Sequence, residues 1–300
     1  MTEKNITLIA DSGSTKADWR FLQNGKVIHE LQTVGFNPNY HPKSAIIEVL
    51  AGNFRHDYPI DTVADIHFYG SGCGDDKQKN IISDALTAVF PTRNIHVYSD
   101  MLGAARATCG KEAGITAILG TGSNTILFDG ERQVDNVPSL GFALGDEGGG
   151  NHLGKALLQA YFYREMPTEL STKMAKLIPG GRSELLDKLY EEDARPAPYL
   201  ASFSIFYSDH LDHPFIQKLA GDCFNQLIER HILKYENYAQ LPLHFVGSIG
   251  YFLQPILKKV LIKNGLTLGR IVRQPIDGLV KYHNASNSGF QPDTPAQQAF

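Results

Sequence analysis

Hydrophobic and polar positions alternate through the first third of the chain in a way that predicts a sheet with helices between its strands. Period-two alternation predicts strands near residues 5–10, 17–23 and 26–33, and Asn24-Gly25 is typical of a hairpin turn between the last two. Helical periods and shorter apolar runs predict the remaining elements: helices near 43–53 and 76–89, strands at 66–69 and 94–98, and a helix that begins after Asp100.

The same order of elements then begins again. Strands are predicted near 115–119, 124–128 and 133–137, with Asp129-Gly130 as the hairpin turn. From Gly148 to about Tyr235 the pattern is helical, with interruptions near 179–181 and at Pro196. The last predicted elements are a strand at 243–246, a helix near 249–263, a strand near 269–272 and a terminal helix.

An internal sequence repeat accounts for this second series of predicted strands. When the chain is shifted by 109 positions, Ile6 to Thr15 falls on Ile115 to Asn124, and five of the ten pairs are identical. Each copy is a buried strand, a turn of small hydroxylic residues and a second strand, and a chance similarity of two such units is the alternative. Because repeats fix architecture, we predict an α/β fold with two similar domains, residues 1–112 and 113–300, that face a shared cleft.

Composition narrows the class of protein. The 300 residues are 42% apolar and 20% charged, as in ordinary globular proteins, and the net charge is −4. A sequence-independent nucleic-acid binder needs a basic surface, so no nucleic-acid partner is predicted. No apolar run reaches the length of about 18 residues that a membrane span needs, and the start of the chain does not resemble an export signal. Three widely spaced cysteines favour reduced thiols and a cytoplasmic location.

The two turns of the repeat have the composition of phosphate-binding loops. Gly13 and Gly122 allow backbone N–H groups to approach phosphate oxygens closely. Hydroxyl groups, a lysine and a further glycine complete the set, which comprises Ser12, Ser14, Thr15, Lys16, Gly120, Thr121 and Ser123. Asp11 in the first copy corresponds to Gly120 in the second, so Asp11 is predicted to hold Mg²⁺, with a turn cap as the alternative.

Asp100 stands where a predicted strand ends and a helix rich in small residues begins. Ligands of α/β domains collect at the carboxyl ends of strands, so this carboxylate is a candidate base for an attacking hydroxyl. A helix N-cap would have the same sequence signature, and the residues alone do not separate the two interpretations.

Two glycine-rich stretches are further candidate ligand sites. Between Gly141 and Gly150, the adjacent carboxylates Asp146 and Glu147 suit hydrogen bonding to sugar hydroxyls, and a flexible acidic loop is the alternative. Gly247-Ser248 follows a predicted strand, where the glycine permits either close approach to a nucleoside or a tight connection to a helix.

Two other motifs receive a structural interpretation. Gly149 to Ala156 lacks the final hydroxyl residue of a nucleotide-binding P-loop, and no predicted strand precedes it, so we assign it to the start of a helix. His210-Leu211-Asp212-His213 contains metal-binding residue types without a matching cluster elsewhere, which favours a solvated helix edge.

Two phosphate turns, a strand-end aspartate and a late glycine-serine turn, in this order, resemble the superfamily of sugar kinases, heat-shock chaperones and actin. The chain is most similar to N-acetylglucosamine kinases and BadF/BadG-type ATPases, over most of its length and specifically at 11–16, 120–124 and 145–148. The resemblance implies two ribonuclease H-like domains, in an actin/hexokinase-like duplication with an interdomain cleft. It also implies that Thr15 and Thr121 contact ATP phosphates, that Asp100 is the base, that Ser248 lies near the nucleoside, and that Asn37, Ser123, Asn124 and Asp146 hold the sugar.

The resemblance implies an ATP- and Mg²⁺-dependent kinase that phosphorylates a hydroxyl, at C6, of an amino sugar such as N-acetylglucosamine; a homodimer is compatible with the sequence. Gly141 is assigned to the sugar site, but Leu140-Gly141-Phe142 stands where animal kinases have Trp-Gly-His, which leaves the sugar open. Two alternatives also stay open. One is an ATPase that activates a dehydratase through an iron–sulfur cluster, for which Cys73 is the cysteine near a cleft loop. The other is a nucleotide-dependent sugar sensor without turnover.

Overall fold

The computed structural model describes residues 5–13, 15–54, 58 and 60–287, and the chain divides into two compact units. Unit 1 contains the residues up to Gly110 together with those from Pro275 onward, and unit 2 contains Lys111–Gln274. The sequence prediction assigned residues 113–300 to a single domain, whereas in the structure the last helix belongs to unit 1.

The strands and helices follow the predicted order closely. The strands are β1 (Ile6–Ser12), β2 (Lys16–Gln23), β3 (Lys26–Val34), β4 (Val63–Gly70), β5 (Asn94–Ser99), β6 (Gly114–Leu119), β7 (Ser123–Phe128), β8 (Gln133–Asp135), β9 (Leu243–Val246) and β10 (Leu268–Val272). The helices are α1 (Lys43–Asn53), α2 (Asp76–Val89), α3 (Asp100–Cys109), α4 (Gly141–Leu144), α5 (Gly150–Phe162), α6 (Thr168–Leu177), α7 (Gly181–Tyr190), α8 (Pro196–Ser202), α9 (Ile205–Asp209), α10 (Pro214–Arg230), α11 (Ser248–Phe252), α12 (Gln254–Lys263) and α13 (Ile276–Asn287). Short 3₁₀ helices lie at Ile60–Thr62, Ile232–Lys234 and Tyr238–Gln240.

Both units are built on five-stranded sheets with the same topology. The strand order is β3-β2-β1-β4-β5 in unit 1 and β8-β7-β6-β9-β10 in unit 2. In each sheet the first three strands form two antiparallel hairpins, and the last two are parallel to the first strand. The duplication predicted from the ten-residue repeat is therefore a duplication of the whole sheet.

The two hairpins of the repeat differ in register. In unit 1, Asp11 and Ser12 are still within β1, where they pair with Asp18 and Ala17. In unit 2, strand β6 ends at Leu119, and the equivalents of Asp11 and Ser12 form the turn itself. Asp11 is thus a strand residue in a cross-strand pair, and its alternative interpretation as a turn cap is wrong.

Aromatic packing stabilises unit 1. The buried Trp19 ring contacts Phe54 with centroids 5.1 Å apart and Phe68 with centroids 5.8 Å apart, while its Nε1 donates to Thr33 Oγ1 at 3.0 Å. Buried aromatic rings of this kind contribute much of a core's apolar area, and the indole N–H is satisfied.

Helix α13 joins unit 1 because it fits closely against α3. A Cβ atom on Gly278 would lie 2.5 Å from the Ala107 carbonyl oxygen, so the absence of a side chain permits this approach. Ile276 and Leu279 are buried in one cluster with Ile9 of β1. This long-range packing has no signature in the local hydrophobic pattern, which is why the predicted domain limits missed it.

Two local features also differ from prediction. The helix predicted near 249–263 is two helices, because α11 ends before Leu253 and α12 begins with Pro255 in its first turn. The short helix α4 was not predicted. Within the described ranges, every helix is too short or too polar to cross a bilayer.

Candidate active site

The first turn of unit 1 is fixed by backbone and buried hydroxyl contacts. Gly13 N donates to Lys16 O at 3.0 Å, which closes the hairpin between β1 and β2. The Ser12 hydroxyl is fully buried and accepts a hydrogen bond from Phe36 N at 2.9 Å, so it serves the fold. Thr15 is exposed at the tip, and the predicted phosphate ligand Ser14 lies outside the described residues.

Two carboxylates face each other across the hairpin just before this turn. Asp11 and Asp18 are cross-strand partners. Asp18 is buried, and it forms an ion pair with Lys16 at 2.9 Å and accepts a hydrogen bond from Gln32 at 2.7 Å. Lys16, predicted to meet phosphate, is therefore paired with Asp18 in this structure.

The surroundings of Asp11 disfavour the charged form of its carboxylate. Burial and the nearby charges of Asp100 and Asp18 together raise its pKa to about 7, against the opposing effect of Lys16. The sequence-distant pair Asp11 and Asp100 is thus brought together by the sheet, because β1, which contains Asp11, and β5, which leads into Asp100, are separated by β4 alone. A divalent cation at this position would relieve the repulsion between the carboxylates.

Ser99 supplies the N-cap of α3. Its Oγ accepts a hydrogen bond from Leu102 N at 3.2 Å, in the geometry expected of a capping serine. Asp100 is the first helical residue, and its Oδ1 accepts from Met101 N at 2.8 Å. Burial raises the pKa of Asp100 to about 6, although the backbone hydrogen bonds oppose this. The interpretation of Asp100 as the helix cap is therefore wrong.

Asn37 lies in a compact loop of unit 1 that follows β3. Its side chain is buried, and Oδ1 accepts a hydrogen bond from Asn39 N at 3.0 Å. Gly72, after β4, approaches so closely that a Cβ there would lie 2.3 Å from Asn37 Oδ1. The side chain of Asn37 therefore packs directly against the loop after β4.

The second phosphate turn, Gly120 to Gly122, is shaped from both sides within unit 2. Gly120 N donates to Gly122 O at 3.0 Å, and the Thr121 side chain is exposed. A Cβ on Gly247 would lie 2.3 Å from Leu119 O, so Gly247 rests against the strand end that leads into the turn. The structure thus brings together two predicted ATP-binding segments that are more than a hundred residues apart in the sequence.

Asp146 lies directly behind this turn. A Cβ on Gly122 would lie 2.7 Å from the Asp146 carboxylate. The carboxylate accepts hydrogen bonds from Ser139 Oγ at 2.7 Å and from Asn151 Nδ2 at 2.6 Å, with a longer one from Ser123 N at 3.4 Å. It is buried and held in left-handed backbone geometry, with φ of 60°. We infer that this side chain organises the turn.

The other predicted sugar residues of unit 2 have different surroundings. The Ser123 hydroxyl is buried and has no hydrogen-bond partner within the described part of the chain, whereas Asn124 Oδ1 accepts from Asn136 Nδ2 at 3.0 Å. Gly141, which begins α4, is exposed and has left-handed geometry with φ of 72°.

Glu147 forms a buried ionic cluster. Arg230 donates to Oε1 at 2.6 Å and His231 Nε2 lies 3.1 Å from Oε2. Burial alone would raise the pKa of Glu147, but these hydrogen bonds outweigh it and lower the pKa. Both carboxylate oxygens of Glu147 thus contact residues at the carboxyl end of α10.

The cysteine-based alternative finds no support in unit 1. Cys73 is fully buried, and burial together with the nearby Asp100 charge raises its pKa to about 12, so its thiolate is strongly disfavoured. Iron–sulfur ligation needs accessible thiolates. Cys109 and Cys223 are buried as well.

The histidine motif does not form a metal site. His213 caps α10 through Phe215 N and pairs with Glu169 at 3.1 Å, whereas His210 Nδ1 lies 2.9 Å from Phe206 O. Among the residues that the structure describes, no group of three or more His, Cys, Asp and Glu side chains is arranged to hold a metal. Mg²⁺ in kinases is held by one or two carboxylates together with substrate phosphates, so this finding does not conflict with Asp11.

Sequence reasoning missed four residues that shape these sites. They are Ser99, Ser139, Asn151 and Arg230. Ser99 had a usable signal, since it precedes the helix and is a favoured capping type. Asn151 lies in the glycine-rich motif Gly149 to Ala156, which was assigned to a helix start and does begin α5. The contacts of Ser139 and Arg230 depend on tertiary packing.

Similarity to solved structures identifies the family. A protein from Porphyromonas gingivalis, provisionally named an N-acetylglucosamine kinase, superposes with a TM-score of 0.87 and 36% identity over 95% of this chain and 100% of its own. The chain belongs to the N-acetylglucosamine kinase family. Searches against family models and against curated protein sequences gave no match.

Two more distant structures share the fold of this N-acetylglucosamine kinase family member. A Chromobacterium violaceum protein with the same provisional name has a TM-score of 0.66 and 16% identity, over 93% of this chain and 98% of its own. A ROK family glucokinase from Streptomyces griseus, solved with glucose and AMPPNP, has a TM-score of 0.53 and 14% identity, over the same fractions of the two chains.

Proposed function

We propose that this protein is an ATP-dependent sugar kinase that phosphorylates the C6 hydroxyl of an amino sugar such as N-acetylglucosamine. Family membership supports the reaction class, and the provisional name of the 36% identical Porphyromonas protein supports the sugar. Asp100 carries the proposal: it follows a strand at the edge where ligands collect, Ser99 relieves it of capping, and its pKa is raised to about 6.

Asp100 acts as the general base. Its carboxylate accepts a hydrogen bond from the sugar hydroxyl and takes the proton as the hydroxyl oxygen bonds to the γ-phosphorus of ATP, so that the sugar phosphate forms and ADP leaves. A base with a pKa of about 6 is mostly ionised at neutral pH. It is also more basic than an ordinary aspartate, which strengthens proton transfer. Asn37, buried in the loop after β3, and Ser123, buried at the start of β7, are assigned to the sugar hydroxyls, as the family resemblance implies.

Each unit has a turn whose composition suits ATP phosphates. Because Gly13 N and Gly120 N are bonded within their turns, the donors assigned to the phosphates are the Thr15 hydroxyl in unit 1 and the backbone of Thr121 and Gly122 with the Thr121 hydroxyl in unit 2. Gly247-Ser248 holds the nucleoside, and its contact with Leu119 supports a continuous ATP-binding surface in unit 2.

The acidic residues of unit 1 fit a magnesium site. Carboxylate oxygens are ligands that Mg²⁺ prefers, and a bound cation would favour the ionised form of Asp11, whose pKa burial, Asp100 and Asp18 raise to about 7. We assign Asp11 as the residue that holds the ion, with Asp18 behind it. When bound with ATP, Mg²⁺ would neutralise phosphate charge.

A coupled assay of ADP release tests the function. We expect turnover that depends on an amino sugar, with glucose, glucosamine, N-acetylmuramic acid and N-acetylglucosamine compared at equal concentration. Phosphorus–proton correlation NMR of the product would show whether C6 carries the phosphate. Tight sugar binding without ADP release would instead favour a sensor, and sugar-independent hydrolysis by iron-containing protein would favour the activator; either result would refute the kinase.

A further inference from the structure

The glycine-rich motif at the start of α5 lies directly on the second phosphate turn. Gly150 N donates to Gly120 O at 2.8 Å, and Asn151 N donates to Thr121 O at 2.8 Å. These are N–H groups of the first helical turn, which have no partner inside a helix and normally need a cap. Here two carbonyl groups of the phosphate turn satisfy them, while α5 has no side-chain cap.

The hydrogen bonds fix the direction of the peptide groups in the turn. A carbonyl oxygen that points at a phosphate repels it, whereas an N–H group attracts it. Because the carbonyls of Gly120 and Thr121 are bonded to α5, they cannot rotate toward a phosphate without breaking those bonds. The motif therefore selects the peptide orientation that an anion-binding turn requires.

Close packing makes this arrangement specific. A Cβ atom on Gly149 would lie 2.5 Å from the carbonyl carbon of Gly122, which is too close for any side chain. The Asn151 side chain is fully buried, and its Nδ2 donates to Asp146 Oδ2 at 2.6 Å. Asp146 in turn lies behind Gly122, so one asparagine contacts the turn through its backbone and the supporting carboxylate through its amide.

We propose that Asn151 is a positioning residue for nucleotide binding, and that its amide holds Asp146 and thereby the second phosphate turn in the binding conformation. The proposal rests on the assignment of this turn to ATP in the proposed function. It gives the Gly149 to Ala156 motif a role other than that of a P-loop, since its backbone binds the turn and not the phosphate.

Two substitutions at Asn151 separate positioning from general stability. Asn151→Ala removes the amide donor and should weaken the affinity for a non-hydrolysable ATP analogue by about tenfold, the effect expected if the loss of a hydrogen bond to a charged group is transmitted to the turn. Asn151→Asp puts a second carboxylate against Asp146 at hydrogen-bond distance. Two carboxylates so close cannot both ionise, so the pKa of one of them rises.

The readout is the ratio of variant to wild-type affinity between pH 5.5 and 8.5, measured by calorimetry. For Asn151→Asp the ratio should rise as the pH falls, because a shared proton restores a hydrogen bond to Asp146. For Asn151→Ala it should stay constant. Using ratios removes the titration of the ATP phosphates themselves, and measuring binding keeps the result independent of turnover.

Leu157→Ala is the matched control. Leu157 is a buried residue of the same helix that has no role in the turn, so this variant should lower Tm while leaving nucleotide affinity unchanged. Equal losses of affinity in Leu157→Ala and Asn151→Ala, or a pH-independent ratio for Asn151→Asp, would overturn the proposal. If Asn151→Asp does not fold, the comparison of the two alanine variants decides.

A wild-type protein that binds nucleotide but phosphorylates no sugar would refute the proposed kinase activity alone. Absence of nucleotide binding would refute both the kinase activity and the positioning role of Asn151.

Discussion

Ser99 caps helix α3 through a hydrogen bond from Leu102 N at 3.2 Å, whereas the adjacent Asp100 carboxylate accepts a hydrogen bond from Met101 N at 2.8 Å. A serine and an aspartate side by side at a helix start are both good caps. Because Ser99 is the N-cap, the half-buried carboxylate of Asp100, with its raised pKa, lies at the end of β5, where a base for phosphoryl transfer would be useful.

Asp100→Asn tests the base directly. The amide keeps the shape of the side chain but cannot accept the proton, so kcat should fall by about 10²–10⁴ while calorimetric sugar affinity changes little. Ser99→Ala is the control: it should lower the free energy of unfolding by about 0.5–2 kcal/mol through loss of the cap, with kcat largely kept. Near-wild-type turnover in Asp100→Asn would eliminate the assignment.

The activity should depend on pH through the same carboxylate. The base must be ionised, so kcat/KM for the sugar should rise with pH, with a midpoint near the pKa of about 6 to which burial raises Asp100. The measurement is kcat/KM as a function of pH for the wild type and for Asp100→Asn, and the variant should lack this midpoint. A profile that is flat from pH 5 to 8 in the wild type would contradict the prediction.

Stability should show the opposite trend with pH. The pKa values of Asp11 and Asp100, about 7 and 6, lie above the usual 3.8, so the folded state binds protons that the unfolded chain releases. The free energy of unfolding gained from these groups is present below pH 4 and is lost as pH rises from about 4 to about 7. Urea unfolding along this range, without magnesium, measures it. Asp11→Asn should flatten the dependence, and an unaltered slope would show that Asp11 titrates normally.

Asp11→Asn should also increase the magnesium requirement. Loss of this carboxylate removes a preferred oxygen ligand, so half-maximal activity should need about tenfold or more additional Mg²⁺, while sugar affinity stays nearly constant. Asp18→Asn provides the comparison, because Asp18 is paired with Lys16 and should affect stability more than metal dependence. An identical magnesium titration for Asp11→Asn and wild type would remove Asp11 from the metal site.

Glu147→Gln should affect stability more than catalysis. The change removes the charge that Arg230 and the buried His231 contact, and we expect the free energy of unfolding to fall by about 1–3 kcal/mol. Arg230→Gln should lower the free energy of unfolding less, because the arginine side chain is 58% exposed and solvent screens its interaction with Glu147. A large rise in sugar KM for Glu147→Gln at unchanged Tm would restore the ligand role expected from the sequence.

The sequence by itself determined the duplicated α/β architecture. Strand alternation and the Asn24-Gly25 turn are local signals; both turn residues adopt the left-handed geometry that such hairpins require, with φ of 51° and 74°. The repeat of Ile6 to Thr15 extends this local information, since similar sequences in similar contexts form similar elements. These features need no knowledge of which residues meet across the fold.

Tertiary structure decided how the candidate side chains are used. Register placed Asp11 within a strand, and backbone geometry at the start of α3 gave the cap to Ser99 instead of Asp100. Packing of α5 on the second phosphate turn brings the Asp146 carboxylate within hydrogen-bond distance of the Asn151 amide. Residue type and spacing are the same for a carboxylate that meets a ligand and for one that supports a turn, because the difference lies in which donors long-range packing brings within hydrogen-bond distance.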